Sequence, residues 1–147
     1  MHVGEFRKKI TAGSTIIADD KELDVLEVVL FRFKDKSFYI KCFLSDGYVL
    51  ADDAKSDSFV LVQEIDCDIT TPFPEELEYD GKGFTFLFEA HAVAERTSGE
   101  QIFKEGDSET FWDYEADDGS YLSLGINDQN GKRLDFYGKT IDDIEFV

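Results

Sequence analysis

The feature that most constrains this chain is an alternation of apolar and polar residues with a period of two. In the segment 84–95, Phe or Ala occupies every even position, whereas Thr85, Glu89 and His91 occupy odd positions. Successive side chains of a β-strand point to opposite faces, so the pattern predicts one long strand whose even face lies in the core. On that basis we expect Phe86 to contribute far more to stability than Thr85.

A second pair of strands is predicted upstream. The segment 25–33 is rich in β-branched and aromatic residues, which favours a position at the centre of a sheet. The segment 38–44 again alternates, with an apolar even face, and the polar turn 34–37 joins the two strands into a hairpin. The opposite face of the second strand is formed by Tyr39, Lys41 and Phe43.

Turn signals that contain glycine divide the rest of the chain at the spacing of β-hairpins. They lie at 46–47, 80–83, 98–99, 117–119 and 130–131. The segment 70–77 contains two prolines and is predicted to be a connector, with at most a single helical turn. Together these signals predict an all-β fold of about ten strands, either an antiparallel β-sandwich or a partly open barrel.

The length of the chain is that of one domain, so residues 1–147 are predicted to form a single β-rich domain. A faint repeat of strand, turn and strand relates the segment 31–50 to the segment 112–134. The repeat predicts two related halves, 1–71 and 72–147. The alternative is that any two hairpins rich in Phe and Tyr resemble each other.

Charge excludes several classes of partner. The chain has 33 acidic and 15 basic residues, which gives a formal net charge of −18. Nucleic acids and anionic lipids are bound through basic side chains, and no apolar stretch approaches the ~20 residues of a spanning helix. We therefore expect no nucleic-acid binding and no direct membrane insertion, and an N-terminus without an apolar segment predicts a cytoplasmic location. The acidity favours either plain solubility or a protein partner with a basic surface.

Few residues offer catalytic or metal chemistry. The histidines are His2, near the N-terminus, and His91, on the polar face of its strand, so no nucleophile activated by His is predicted. Cys42 and Cys67 lack a CxxC spacing and are predicted to be free thiols. The acidic turns lack the spacing of a calcium loop, so neither a metal site nor a cofactor is predicted. The sequence thus favours a protein that is not an enzyme.

The end of the chain carries a motif. It combines an aromatic-x-Tyr-Glu run at 112–115, a Gly turn at 118–119, a Leu-Ser strand at 122–123, and a Tyr-Gly pair at 137–138 ahead of Asp-Ile at 143–144. This pattern resembles the bacterial domain-of-unknown-function family DUF4178, and weaker agreement extends upstream to about Val25. The resemblance implies a bacterial β-rich domain without an established activity.

The aromatic residues of this motif are the candidate binding site. Trp and Tyr are over-represented at binding hot spots, although aromatic residues also dominate the interiors of β-sheets. The candidates are Trp112, Tyr114, Glu115, Tyr121 and Tyr137. The predicted function is a non-catalytic interaction or accessory module that binds a protein partner. The alternative is a β-domain that binds a small ligand in an internal pocket.

Overall fold

The computed structural model describes residues 1–147, and its strands pair antiparallel throughout, which confirms the all-β prediction. Helix α1 spans Val3–Lys9, and a 3₁₀ turn spans Ser45–Gly47. The strands are β1 Thr15–Ala18, β2 Lys21–Phe33, β3 Phe38–Leu44, β4 Tyr48–Asp53, β5 Ser58–Ile65, β6 Glu76–Tyr79, β7 Lys82–Gly99, β8 Ser108–Glu115, β9 Ser120–Asn127, β10 Arg133–Ile141 and β11 Ile144–Phe146.

Eight of these strands close into a barrel. The order in the sheet is β11-β1-β2-β3-β4-β5-β10-β9-β8-β7-β6, and β2 also pairs with β7. That additional pairing joins the first meander, β2–β5, to the second, β7–β10, and closes the ring. Of the two predicted architectures the barrel is therefore confirmed, and it is closed rather than partly open. A sandwich of two sheets is not observed.

The two meanders can be compared with the two related halves that the sequence repeat predicts. They meet where β5 pairs with β10 and where β2 pairs with β7. This arrangement relates β2–β4 to β7–β9, whereas the repeat in the sequence matches β2–β4 with β8–β10, one strand further along. The division into related halves at residue 72 stays a prediction.

The outer face of β2–β5 is covered by α1, β1 and β11. Fourteen buried side chains form the core there, which we call the helix-side cluster: Val3, Phe6, Ile10, Ile16, Ala18, Leu23, Val25, Ile40, Cys42, Leu44, Leu50, Phe59, Leu61 and Ile144. The ring of Phe6 is fully buried and lies edge-on to Phe59, with ring centroids 5.1 Å apart. The sequence did not predict α1, because its apolar face is only two residues, Val3 and Phe6, beside three basic ones.

The outer face of β8–β10 is covered by the connector 66–75 and by β6. The buried residues of this connector-side cluster are Phe84, Tyr114, Ala116, Leu122 and Leu124. The Tyr114 hydroxyl donates a hydrogen bond of 2.7 Å to the carbonyl oxygen of Pro74, which ties the connector to the barrel wall. The connector contains no helix. No helix anywhere in the structure is long and apolar enough to cross a membrane.

Strand β7 changes face half-way along its length. Phe86 and Phe88 pair with consecutive residues of β8, so Leu87 is the extra residue of a β-bulge. Before the bulge, Phe86 packs against the connector-side cluster, whereas Ala92 and Ala94 after it are buried inside the barrel. The prediction of one buried even face is therefore wrong: the even positions face two different cores, on opposite sides of the wall.

Candidate functional site: the interior of the barrel

The interior of the barrel contains a cavity of about 700 Å³. Residues from all eight barrel strands line the cavity, which places it inside the closed sheet. The turns 34–37 and 53–55 contribute to the lining as well, so the cavity opens between them. Its apolar walls include Phe33, Val60, Val62, Phe111, Leu134 and Phe136. The volume lies within the range of about 300–1,000 Å³ that is typical of small-molecule sites.

The segment 100–107, between β7 and β8, closes the opposite end. Its Phe103 is fully buried, and the Phe103 ring lies 5.2 Å from the Phe31 ring. The buried carboxylate of Glu27 accepts hydrogen bonds from the backbone N–H groups of Ile102, at 2.7 Å, and of Phe103, at 3.2 Å. Burial raises the pKa of Glu27. The carboxylate thus holds the segment in place as a plug, and the cavity has its mouth at the other end.

A buried ion pair crosses the interior between β3 and β8, which are not neighbours in the barrel. Lys41 Nζ lies 3.0 Å from Oε2 of Glu109, and the Tyr39 hydroxyl donates to Oε1 at 2.5 Å. Burial and the Glu109 charge raise the pKa of Tyr39 well above its usual value. Removing both charges from water is costly, and their mutual attraction offsets that cost only with good geometry and further hydrogen bonds.

The Lys41 ammonium is also surrounded by aromatic rings. Its Nζ lies 5.0–5.9 Å from four ring centroids, those of Phe31, Phe43, Phe103 and Phe136. A cation is attracted to the face of an aromatic ring at such distances, and the attraction is stronger where water is excluded. The positive charge of Lys41 is therefore balanced by Glu109 and by the aromatic rings of the protein itself.

A second buried carboxyl, Asp113, lies on the same strand as Glu109. The Tyr121 hydroxyl donates to its Oδ2 at 2.5 Å, and the Ser123 hydroxyl donates to its Oδ1 at 2.6 Å. Burial raises the pKa of Asp113 to about 6, although the two hydroxyl groups and the Lys41 charge act in the opposite direction. This carboxyl can therefore exchange a proton close to neutral pH, and ionisable groups with shifted pKa values in a cleft are candidate functional groups.

The structure does not bring the predicted binding residues into one patch. Trp112 and Tyr137 are partly buried against the connector-side cluster, and Tyr114 is part of it. Tyr121 instead lines the interior cavity, on the other side of the barrel wall. Glu115 is half-buried at the end of β8. A binding role for these five residues stays a prediction.

Sequence reasoning missed the polar groups of the interior. The alternation of β3 correctly placed Tyr39, Lys41 and Phe43 on one face, but it gave no prediction that this face is buried. The flanking aromatic residues at i−2 and i+2 were the signal that the face is buried. Cys42 and Cys67 are both free, as predicted. No group of three or more His, Cys, Asp or Glu side chains is arranged to hold a metal ion.

Comparison with protein families agrees with the motif at the end of the chain. The family model described as a domain of unknown function, DUF4178, matches residues 11–143, which include every strand of the barrel. No curated protein and no solved structure matches the chain. From the extent of the match we conclude that the chain belongs to the DUF4178 family.

Proposed function

We propose that this protein is a non-catalytic binding domain that encloses a small amphipathic molecule inside its barrel. The observation that supports the proposal is the cavity of about 700 Å³, with apolar walls and a few polar groups that converge in it. Ligand sites are commonly built in this way, because apolar walls supply affinity and a few polar groups fix orientation. Of the two functions that the sequence favours, the geometry therefore supports the internal pocket better than the protein partner.

The composition of the wall also supports a ligand. An eight-stranded barrel is just wide enough to be filled by its own side chains or to hold one small molecule. In this barrel Ala51 and Ala90 line the cavity at positions where larger side chains would fill the space. Buried ion pairs such as Lys41–Glu109 are also weak stabilisers compared with packed apolar residues. Both features are expected where the interior is kept for binding.

A neutral fluorescent probe tests this proposal. We expect 1-aminoanthracene to bind the protein with enhanced fluorescence and to lose at least about tenfold in affinity in the variant Ala90→Phe, whose added ring would occupy the cavity. The matched control is Val93→Phe on the same strand, where the side chain is 38% exposed on the outer surface. Equal affinity for both variants, or no binding to the parent protein, would contradict an internal site.

The second candidate is the interaction module that binds a basic partner. It is favoured by the net charge of −18 and by two exposed apolar side chains at the bulge, Leu87 and Phe88, which are 45% and 43% exposed. We place the protein in the cytoplasm, without nucleic-acid binding, under either candidate. Association with a basic protein should slow as salt increases, while dissociation of the complex changes little. The variant Leu87→Ser should speed dissociation, and a salt-independent association rate would contradict this candidate.

A further inference from the structure

The charges that line the cavity are unequal. Six acidic side chains, Asp35, Asp52, Asp53, Glu89, Glu109 and Asp113, face four basic ones, Arg7, Lys34, Lys41 and Lys55. Two of the basic groups are already committed, since Arg7 Nε lies 2.6 Å from Asp52 and Lys41 is paired with Glu109. The remaining two, Lys34 and Lys55, lie on the turns at the mouth. Of the acidic groups, Asp35 and Asp53 belong to the same turns and Glu89 is exposed. The deep interior therefore holds two carboxyl groups, Glu109 and Asp113, and one amine, Lys41, which leaves one negative charge in excess when Asp113 is ionised.

That excess is located on Asp113. The side chains that bond to its oxygens are two neutral hydroxyls, those of Tyr121 and Ser123. A carboxylate offers about four acceptor positions, so Asp113 retains capacity for further donors. Asp113 is only 7% exposed and lines the cavity. A buried carboxylate without a cation is unfavourable, and a bound cation would remove that cost.

The other charged groups of the interior are poorly suited to an anionic ligand. Lys41 already contacts Glu109 and is enclosed by phenylalanine rings, as described above. An anion near Lys41 would also lie close to Glu109 and Asp113, whose charges would repel it. An amine meets the opposite situation, because the net charge of −18 attracts cations towards the protein from solution.

We propose that the molecule enclosed by the barrel is an organic cation, in which a protonated amine binds the Asp113 carboxylate and an apolar body lies against the aromatic walls. This inference rests on the proposed function. It assigns Asp113 as the charged contact, with Tyr121 and Ser123 holding the carboxylate in position. The neighbouring ring of Phe111 would contact the apolar body beside the amine.

Three probes of equal length and different charge test the inference: n-hexylammonium, n-hexanol and hexanoate. Dissociation constants are measured at pH 7.5 from the chemical shifts of the Gly125 amide and the Val62 methyl groups, both on the cavity wall. We expect hexylammonium to bind at least about tenfold more tightly than hexanol, and hexanoate to bind most weakly. In Asp113→Asn the advantage of hexylammonium over hexanol should fall to less than about twofold. The matched control, Asp117→Asn, removes the same charge from an exposed turn and should leave the advantage intact.

The outcomes separate the inference from the proposed function. Binding of hexanol without a preference for hexylammonium would overturn the inference and leave the internal site standing. Equal loss of preference in Asp113→Asn and Asp117→Asn would also overturn it, because the effect would then come from net charge alone. If none of the three probes shifts the interior signals, both proposals fail. The comparison of probes on the parent protein decides the case even if Asp113→Asn does not fold.

Discussion

The two faces of β3 follow different rules although they belong to one strand. The outward residues Ile40, Cys42 and Leu44 pack into the helix-side cluster, which is built from apolar side chains. The inward residues include Tyr39 and Lys41, which share a buried carboxylate beside a cavity. Both faces are buried, yet only the outer one is closely filled. One strand thus serves two cores: apolar packing fills the outer face, whereas the inner face combines buried phenylalanines with polar groups around open space.

The largest expected effect comes from breaking the ion pair of the inner face. The variant Lys41→Met leaves Glu109 buried without a counter-charge, so we expect the free energy of unfolding to fall by about 3–5 kcal/mol. The double variant Lys41→Met/Glu109→Leu should recover most of that loss, since no unpaired charge remains. Urea titrations of the two single variants and the double variant measure the coupling.

An exposed ion pair provides the control for this experiment. Arg32 Nη2 lies 2.7 Å from Glu95, but both side chains are more than a third exposed. The variant Arg32→Met should therefore change the free energy of unfolding by less than about 1 kcal/mol. Similar losses in Lys41→Met and Arg32→Met would show that the interior pair behaves as if it were in water.

Alanine substitution of one phenylalanine on each side of the wall compares how tightly the two sides are packed. Phe6 is enclosed in the helix-side cluster, so Phe6→Ala should cost about 3–4 kcal/mol through lost burial and a new cavity. Phe111 already borders open space, so Phe111→Ala should cost only about 1–2 kcal/mol, because fewer contacts are lost. Both values follow from urea unfolding. A loss at Phe111 as large as that at Phe6 would mean that the interior is packed as tightly as the outer core.

Much of the barrel could be predicted from sequence because strand periodicity and turn residues act locally. The hairpin of β2 and β3 and the turns at Asp46, Asp80 and Gly119 follow from such local signals. Closure could not be predicted, since it depends on the pairing of β2 with β7, whose paired residues lie 59 to 72 positions apart in the sequence. The bulge at Leu87 was hidden for a similar reason, because one extra residue changes the buried face without changing the alternation.

The candidate site was harder to predict than the fold. A charged residue in an alternating strand usually marks the face that is exposed to solvent. The rule fails for Lys41, Glu109 and Asp113, because in this barrel the outer face of the wall is covered and the other face lines the closed interior. The aromatic residues of the closing motif were visible, but the sequence could not show that Tyr121 and Trp112 lie on opposite sides of the wall. Only the register of β8 and β9 fixes that separation.

The pH dependence of stability tests the inner face through Asp113, with a smaller expected effect. The pKa of Asp113 is raised by burial from 3.8 to about 6 in the folded protein, so between these values the folded state binds a proton that the unfolded state has lost. Stability due to this group is therefore complete below about pH 4 and declines as pH rises through 6. The free energy of unfolding of the parent, minus that of Asp113→Asn, should fall by about 2 kcal/mol between pH 4 and pH 7.

The groups that face Asp113 determine its pKa and therefore the expected pH dependence. Lys41 from β3 lowers its pKa, Glu109 on its own strand raises it, and Tyr121 from β9 donates a hydrogen bond. Subtraction of the Asp113→Asn curve removes the contributions of carboxyls elsewhere, such as Asp118, whose pKa is lowered by hydrogen bonds to Ser120. If the free energy of unfolding of the parent, minus that of Asp113→Asn, rises with pH, then the folded protein stabilises Asp113 as a carboxylate. That result would contradict the raised pKa and would require a cation closer to Asp113 than Lys41.

The smallest effect concerns the two thiols, which report on the two outer clusters without changing stability. Cys42 is fully buried in the helix-side cluster, and burial raises the pKa of its thiol, whereas Cys67 lies partly exposed beside the connector-side cluster. Because the thiolate is the reactive form, a disulfide reagent should label one thiol per chain in the native protein and two in denaturant. Phe6→Ala should speed labelling of Cys42 by making local opening easier, while Ala90→Phe, inside the barrel, should not. Rapid native labelling of both thiols would mean that α1 does not hold the helix-side cluster closed, and the contrast between the two faces of β3 would then lose its basis.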